Sequence, residues 1–130
     1  MWISLNEQDS HPIYLQIINQ VKEQVFKGSL RPGDELPSVR ELADSLGVNM
    51  HTVRSAYLKL RDQGIVNLRL GRRARIARLK PAAVTEAVEA DFKLKIKELI
   101  TDAFLTGFSP DDLLKLFTRQ LEELKDYKKT

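Results

Sequence analysis

Cysteine is absent from the 130 residues, so disulfides, thiolate metal sites and a cysteine nucleophile are all excluded. Histidine occurs only twice, as His11 and His51, and no H-E-x-x-H or G-x-G-x-x-G spacing exists. Without a nucleophile–base pair, a metal cluster or a phosphate loop, the chain lacks the constellations that enzymes need. No apolar run approaches the ~20 residues of a membrane span, and the N-terminus has no basic-then-apolar signal pattern. A cytoplasmic location with no membrane partner is therefore expected. Internal repeats and low-complexity segments are missing too.

What is present suffices for a core: 42% of residues are hydrophobic and 30% are charged, the balance of an ordinary globular protein. The length fits one full domain with a smaller appendage. The net charge of +3 is unevenly spread. Residues 1–80 carry 13 Lys and Arg against 8 Asp and Glu, whereas residues 81–130 carry 8 against 10. The first part is thus basic and the second slightly acidic, as expected if a phosphate-facing surface belongs to the first.

The most informative stretch is Leu36–Leu60. Ser38 followed three residues later by Glu41 forms a capping box. Val39, Leu42, Ala43 and Leu46 recur at helical spacing, and Gly47 is placed to stop the helix. Asn49 then caps a second helix whose inner stripe is Val53, Ala56, Tyr57 and Leu60. Two short helices joined by a tight Gly turn predict a helix-turn-helix. In that motif the first turn of the second helix meets base edges in the major groove. Here that turn offers Asn49, Met50, His51, Thr52 and Arg54. An ordinary helical hairpin inside some other core is the alternative these residues alone leave open.

Upstream, Trp2, Ile3 and Leu5 lead in, and Pro12 opens a scaffold helix with Tyr14, Ile17, Ile18, Val21 and Val25 on one face and Gly28 at its end. Pro32-Gly33 fits a type II turn. Downstream of a stop near Gln63-Gly64, Ile65–Leu70 and Ala74–Leu79 alternate like two short strands around Gly71-Arg72-Arg73. This hairpin predicts a wing. Arg69, Arg72, Arg73, Arg75, Arg78 and Lys80 occupy it with no acidic residue between them, a pattern that points to a polyanion.

Pro81 marks a boundary, which predicts a DNA-binding domain over residues 1–80 and an α-helical region over 81–130. A long helix is expected from Val84, Val88, Phe92, Ile96, Leu99, Ile100, Ala103 and Phe104, stopped by Gly107. Ser109-Pro110-Asp111-Asp112 restarts a second helix by capping rather than by forming a carboxylate site, and Leu113, Leu114, Leu116, Phe117, Leu121, Leu124 and Tyr127 follow. About fifty residues cannot easily bury both apolar faces alone. A second copy is the economical cover, giving a homodimer with two reading helices on one DNA face. The expected fold is mainly α with a small β-hairpin: an N-terminal winged helix-turn-helix plus a C-terminal two-helix dimerisation hairpin.

Three motifs carry a resemblance. Pro12-Ile13-Tyr14-x-Gln16-Ile17, Gly28-x-Leu30-x-Pro32-Gly33-x-x-Leu36-Pro37-Ser38-x-Arg40-x-Leu42-Ala43 and Thr52-Val53-x-x-Ala56-Tyr57-x-x-Leu60-x-x-x-Gly64 closely resemble the winged-helix domain of the GntR family of bacterial transcription regulators. The short two-helix tail resembles that of the YtrA subfamily. The resemblance implies a homodimeric regulator, usually a repressor, that binds a double-stranded inverted-repeat operator. It implies no cofactor, although a small effector is compatible with it. By position, Arg40 corresponds to a family arginine that contacts DNA, Thr52 and Arg54 to positions on the reading helix, and Gly71 to the wing-tip glycine. Met50 departs from the arginine that many relatives carry and cannot read guanine bidentately, so Asn49 and His51 are expected to supply part of the discrimination instead. Arg73 stands where a second glycine is common and Arg75 where an aromatic is common, an expected shift of the wing toward stronger, less sequence-bound contact with phosphate or the minor groove. Two further functions differ in what they predict: an architectural or RNA-binding winged helix would lack base discrimination, and an interaction adaptor would not need an intact reading helix.

Overall fold

The computed structural model describes residues 3–80 and 83–128, with side chains described as far as Lys125. The expectations placed on Trp2 and Pro81, and on the side chain of Tyr127, lie outside the described residues. The elements are α1 (Ile13–Lys27), α2 (Val39–Leu46), α3 (Met50–Asp62), β1 (Val66–Asn67), β2 (Arg75–Ile76), α4 (Glu86–Thr106) and α5 (Pro110–Lys128). They fall into two compact units, Met1–Lys80 and Pro81–Thr130.

In the first unit the helix boundaries follow local chemistry. Ser38 Oγ accepts the Glu41 amide at 3.1 Å, and Asn49 Oδ1 accepts the His51 amide at 2.7 Å, each satisfying a donor with no intrahelical partner. Gly47 adopts φ +68 and ends α2, a left-handed conformation that costs glycine nothing. The core joins Ile17, Ile18 and Val21 of α1 to Leu42 and Ala43 of α2 and to Val53, Ala56, Tyr57 and Leu60 of α3, with Leu36, Val66 and Ile76 closing it. Tyr57 ties two elements directly, its hydroxyl donating to the Pro37 carbonyl at 2.6 Å just before α2.

Several features differ from the sequence expectation. Tyr14 is 42% exposed because the first turn of α1 extends past the core. The wing strands are only two residues each, paired Val66 to Ile76 and Asn67 to Arg75. Beyond them Leu70 is fully exposed, and Leu79 is exposed as well. Gly71, at φ +74, lies in the turn beyond the last rung, which the Arg72 amide closes on the Arg69 carbonyl at 3.1 Å.

The wing also has a third edge that periodicity does not reveal. The Leu36 amide donates to the Ala74 carbonyl and the Gly33 amide to the Ile76 carbonyl, both at 2.8 Å, while the Ile76 amide donates to the Asp34 carbonyl at 2.9 Å. The Pro32-Gly33 turn therefore delivers an extended segment to β2. A similar role belongs to two glutamines of α1. Buried Gln16 accepts the Asn6 amide and donates to the His11 carbonyl, and Gln20 accepts the Ser4 amide and donates to its carbonyl, so the lead-in is strapped onto the helix with Ile3 buried beneath it.

The second unit is a helical hairpin. Thr85 caps α4 by accepting the Val88 amide, with Glu86 and Glu89 in the positive first turn. Val84 thus precedes the helix and is exposed, contrary to its expected place on the helical face. Gly107 at φ +119 ends α4, the Phe108 amide closes back on the Ala103 carbonyl at 3.0 Å, and Ser109 Oγ accepts the Asp112 amide to start α5. Capping is the role the structure gives this Ser-Pro-Asp-Asp segment.

Burial, reinforced by the Glu41 carboxylate, pushes the Tyr57 phenol well above its ordinary 10.0. An unfolded chain would release that proton first, so the folded state binds more protons and loses stability as pH climbs past about 10. Tyr57→Phe should cost about 1 kcal/mol at pH 7, and the gap from the parent should narrow in urea unfolding repeated above pH 10. A gap that is flat with pH would contradict this account. Leu70→Ser, by contrast, should change stability by less than about 0.5 kcal/mol, checked in the same urea series at pH 7.

Candidate nucleic-acid interface

The first turn of α3 is exposed on the side away from the core. Asn49, Met50, His51 and Arg54 are exposed and Thr52 is half-buried, whereas Val53 and Ala56 between them face inward. The helical period separates the two sets, so the same packing that fixes α3 presents this group outward. Asn49 Oδ1 is committed to the helix cap, which leaves its amide nitrogen as the group free to meet a base edge. Ser38 is half-buried at the start of α2 with its oxygen in the cap, and exposed Arg40 follows in the first turn. Arg40 forms no ion pair with Asp44 or any other acid among the described residues.

The wing contributes the other charged groups. Asn67, Arg69, Arg72, Arg73 and Arg75 line a shallow depression of about 190 Å³, four guanidinium groups around one hollow. They are not equivalent. Arg69 and Arg72 form no ion pair among the described residues. Arg73 instead donates Nη1 to Glu41 Oε2 at 2.8 Å and Nη2 to Glu41 Oε1. Arg75 donates Nη2 to Glu35 Oε1 at 2.6 Å and Nη1 to the Gly33 carbonyl at 2.9 Å. The basic run is unopposed only along the chain; in space, two of its cations meet carboxylates from the α2 cap and from the third edge of the wing. Arg73 accordingly holds the Glu41 carboxyl below its usual range, and Glu41 raises the Arg73 guanidinium in return. Leu70, bare at the wing tip between Arg69 and Gly71, belongs to this surface and went unnoticed in the sequence because alternation assigned it to a strand.

The apolar residues of the second unit remain largely uncovered. Val88, Phe92, Ile96, Leu99, Ile100 and Phe104 of α4 and Leu114, Phe117 and Leu121 of α5 are exposed, with Leu113 half-buried and Ala103 buried. Ile96, Leu99, Ile100, Phe104, Phe108, Leu113, Leu114 and Phe117, with Ser109 and Pro110, line an apolar groove of about 370 Å³. Among the described residues no group of acids and histidines is placed to hold a metal, and no helix is long and apolar enough to cross a membrane.

Comparison with known proteins gives a consistent answer. Residues 13–76 match the model of the bacterial regulatory proteins of the gntR family. The chain is 37% identical over 127 residues to the HTH-type transcriptional repressor YtrA of Bacillus subtilis, covering 98% of each. It superposes with a TM-score of 0.63 on the GntR-family transcription factor YtrA of Sulfolobus acidocaldarius, at 36% identity over 78% of this chain and 99% of that one. The DNA-binding domain of AraR in complex with its operator ORE1 superposes with a TM-score of 0.50 at 27% identity, covering 56% of this chain and 89% of that domain. The helix-turn-helix, the wing and the short helical hairpin are therefore those of a DNA-binding transcription regulator and not of an enzyme: the chain belongs to the GntR family and is YtrA-like.

Proposed function

We propose that the protein is a repressor that binds an inverted-repeat operator as a homodimer, with α3 in the major groove and the wing against the flanking backbone. The observation that carries this reading is the split of α3 into a buried stripe and an exposed first turn, beside arginines that no acid engages among the described residues. Asn49, His51, Thr52 and Arg54 read base edges; Arg40 contacts the backbone and a neighbouring base; Arg69 and Arg72 neutralise phosphate beside Gly71, whose lack of a side chain permits close approach. Met50 supplies apolar contact of the kind a thymine methyl accepts. Residues 1–80 are the DNA-binding domain and residues 81–130 the dimerisation region, in a cytoplasmic protein.

Dimerisation is supported by the uncovered faces of α4 and α5. A two-helix hairpin leaves more apolar surface than a small unit tolerates in water, and an isologous partner covers matching faces on both copies at once.

The first test is selection of genomic fragments by the purified protein near physiological salt, followed by footprinting. The expected result is a protected two-fold repeat with half-site centres about ten base pairs apart; enrichment with no shared motif would replace specific regulation by an architectural role. On the selected operator, Arg54→Ala should cost roughly 1–3 kcal/mol of discrimination. Arg72→Ala should weaken all sequences alike and reduce the salt slope by about one. In sedimentation, Ile100→Asp should give monomers that keep the first unit folded but lose protection of the paired half-sites. An Ile100→Asp protein that stays dimeric would place the interface elsewhere.

A further inference from the structure

The wing's four guanidinium groups are chemically alike yet differently engaged, and the difference has a geometric cause. Arg73 lies just past the wing tip, 32 residues along the chain from Glu41. It meets that carboxylate with both terminal nitrogens, the two-point geometry that a planar guanidinium makes and a lysine does not. Glu41 is itself fixed, because its amide is held by Ser38 Oγ in the first turn of α2. Glu41 follows Arg40 in the first turn of α2, on the face that the proposed function turns toward DNA. A bare carboxylate there would repel phosphate.

We infer that Arg73 is a positioning residue rather than a phosphate ligand: it clamps the wing to the α2 cap through Glu41 and cancels the one acid of that cap. The inference rests on the reading that this surface binds DNA. The clamp fixes where Arg69, Leu70 and Arg72 sit relative to the first turn of α3, so it sets the geometry with which groove and backbone are engaged together. An exposed ion pair contributes little to folding. Its effect belongs to operator discrimination, and stability should barely register it. The Arg75 pair with Glu35 and the Gly33 carbonyl acts one register further in, holding β2 to the third edge and leaving the tip to Arg73.

The test uses the full-length protein, its selected operator and a random duplex of equal length, with binding measured across a salt series for Glu41→Gln, Arg73→Gln, the double variant and Arg72→Gln. Gln at position 41 keeps the capping box, and thermal unfolding should confirm that all four variants fold like the parent. Arg72→Gln should lower the salt slope by about one, whereas Arg73→Gln should leave it at the parent value. Glu41→Gln, Arg73→Gln and the double variant should each reduce the operator-to-random ratio by the same roughly three- to tenfold, non-additively, as partners in one ion-pair network do. An Arg73→Gln slope reduced by about one with an unchanged ratio would make Arg73 a phosphate ligand. A parent-like ratio in Glu41→Gln would likewise overturn the clamp. If the parent protein itself showed no preference for any selected duplex, specific recognition would fall, while the salt slopes on random DNA would still report whether Arg73 touches phosphate.

Discussion

The surface proposed to face DNA depends on how α3 is seated, and one buried phenol helps to seat it. Tyr57 lies in the core between α2 and α3 and spends its only hydroxyl on the Pro37 carbonyl. A buried polar group left unpaired is costly, so this bond is required for Tyr57 to be there at all. It also fixes the point where the chain enters α2. The cap formed by Ser38 begins one residue later, and Arg40 and Glu41 follow within a turn. The reading helix and the arginine beside it are therefore placed by one contact, and a shift in either would move both.

What the sequence disclosed was whatever local spacing encodes. Helices α2 and α3 were legible to within a residue, because their caps, their left-handed Gly47 and their inner stripes all lie within a few positions of one another. The same holds for the Gly107 stop and the Ser109 restart of the tail. Pairings across the chain were not legible. Nothing in the pattern of Gly33–Leu36 says that its partner is Ala74–Ile76, and the buried Gln16 reads as a polar residue on an otherwise apolar face until its bonds to Asn6 and His11 are seen. The wing suffered most: alternation continues in sequence through Leu70, but strand pairing stops at Asn67.

The charge pattern carries the same lesson in electrostatic form. A count along the chain treats Arg69, Arg72, Arg73 and Arg75 as one cationic block. Folding brings Glu41 and Glu35 to two of them, from 32 and 40 residues away. The block is thereby divided into two cations left to solvent and two committed to holding the wing. On the proposed function, the first pair joins Arg40 and Arg54 in setting affinity, because uncommitted cations displace counterions from phosphate. Orientation scales with the second. On the proposed function, a reader that carries Met50 where the family resemblance expects an arginine has fewer direct contacts with which to discriminate. The fixed angle between wing and helix then matters more, because shape and spacing must supply what base-edge hydrogen bonds do not.

That economy extends to the tail. One winged helix with few base contacts binds a half-site weakly, and tightening each contact would raise affinity for random DNA along with the operator. The proposed homodimer avoids this: the second half-site would be met at an effective concentration set by geometry, and only a correctly spaced pair would benefit. The apolar faces of α4 and α5 suit that task because hydrophobic burial is strong and non-directional, whereas the DNA surface needs groups that are weak singly and exact in placement. On the proposed function, the division of the chain into a basic, hydrogen-bonding unit and an acidic, apolar-faced one answers these two demands, since residues that satisfy one would defeat the other.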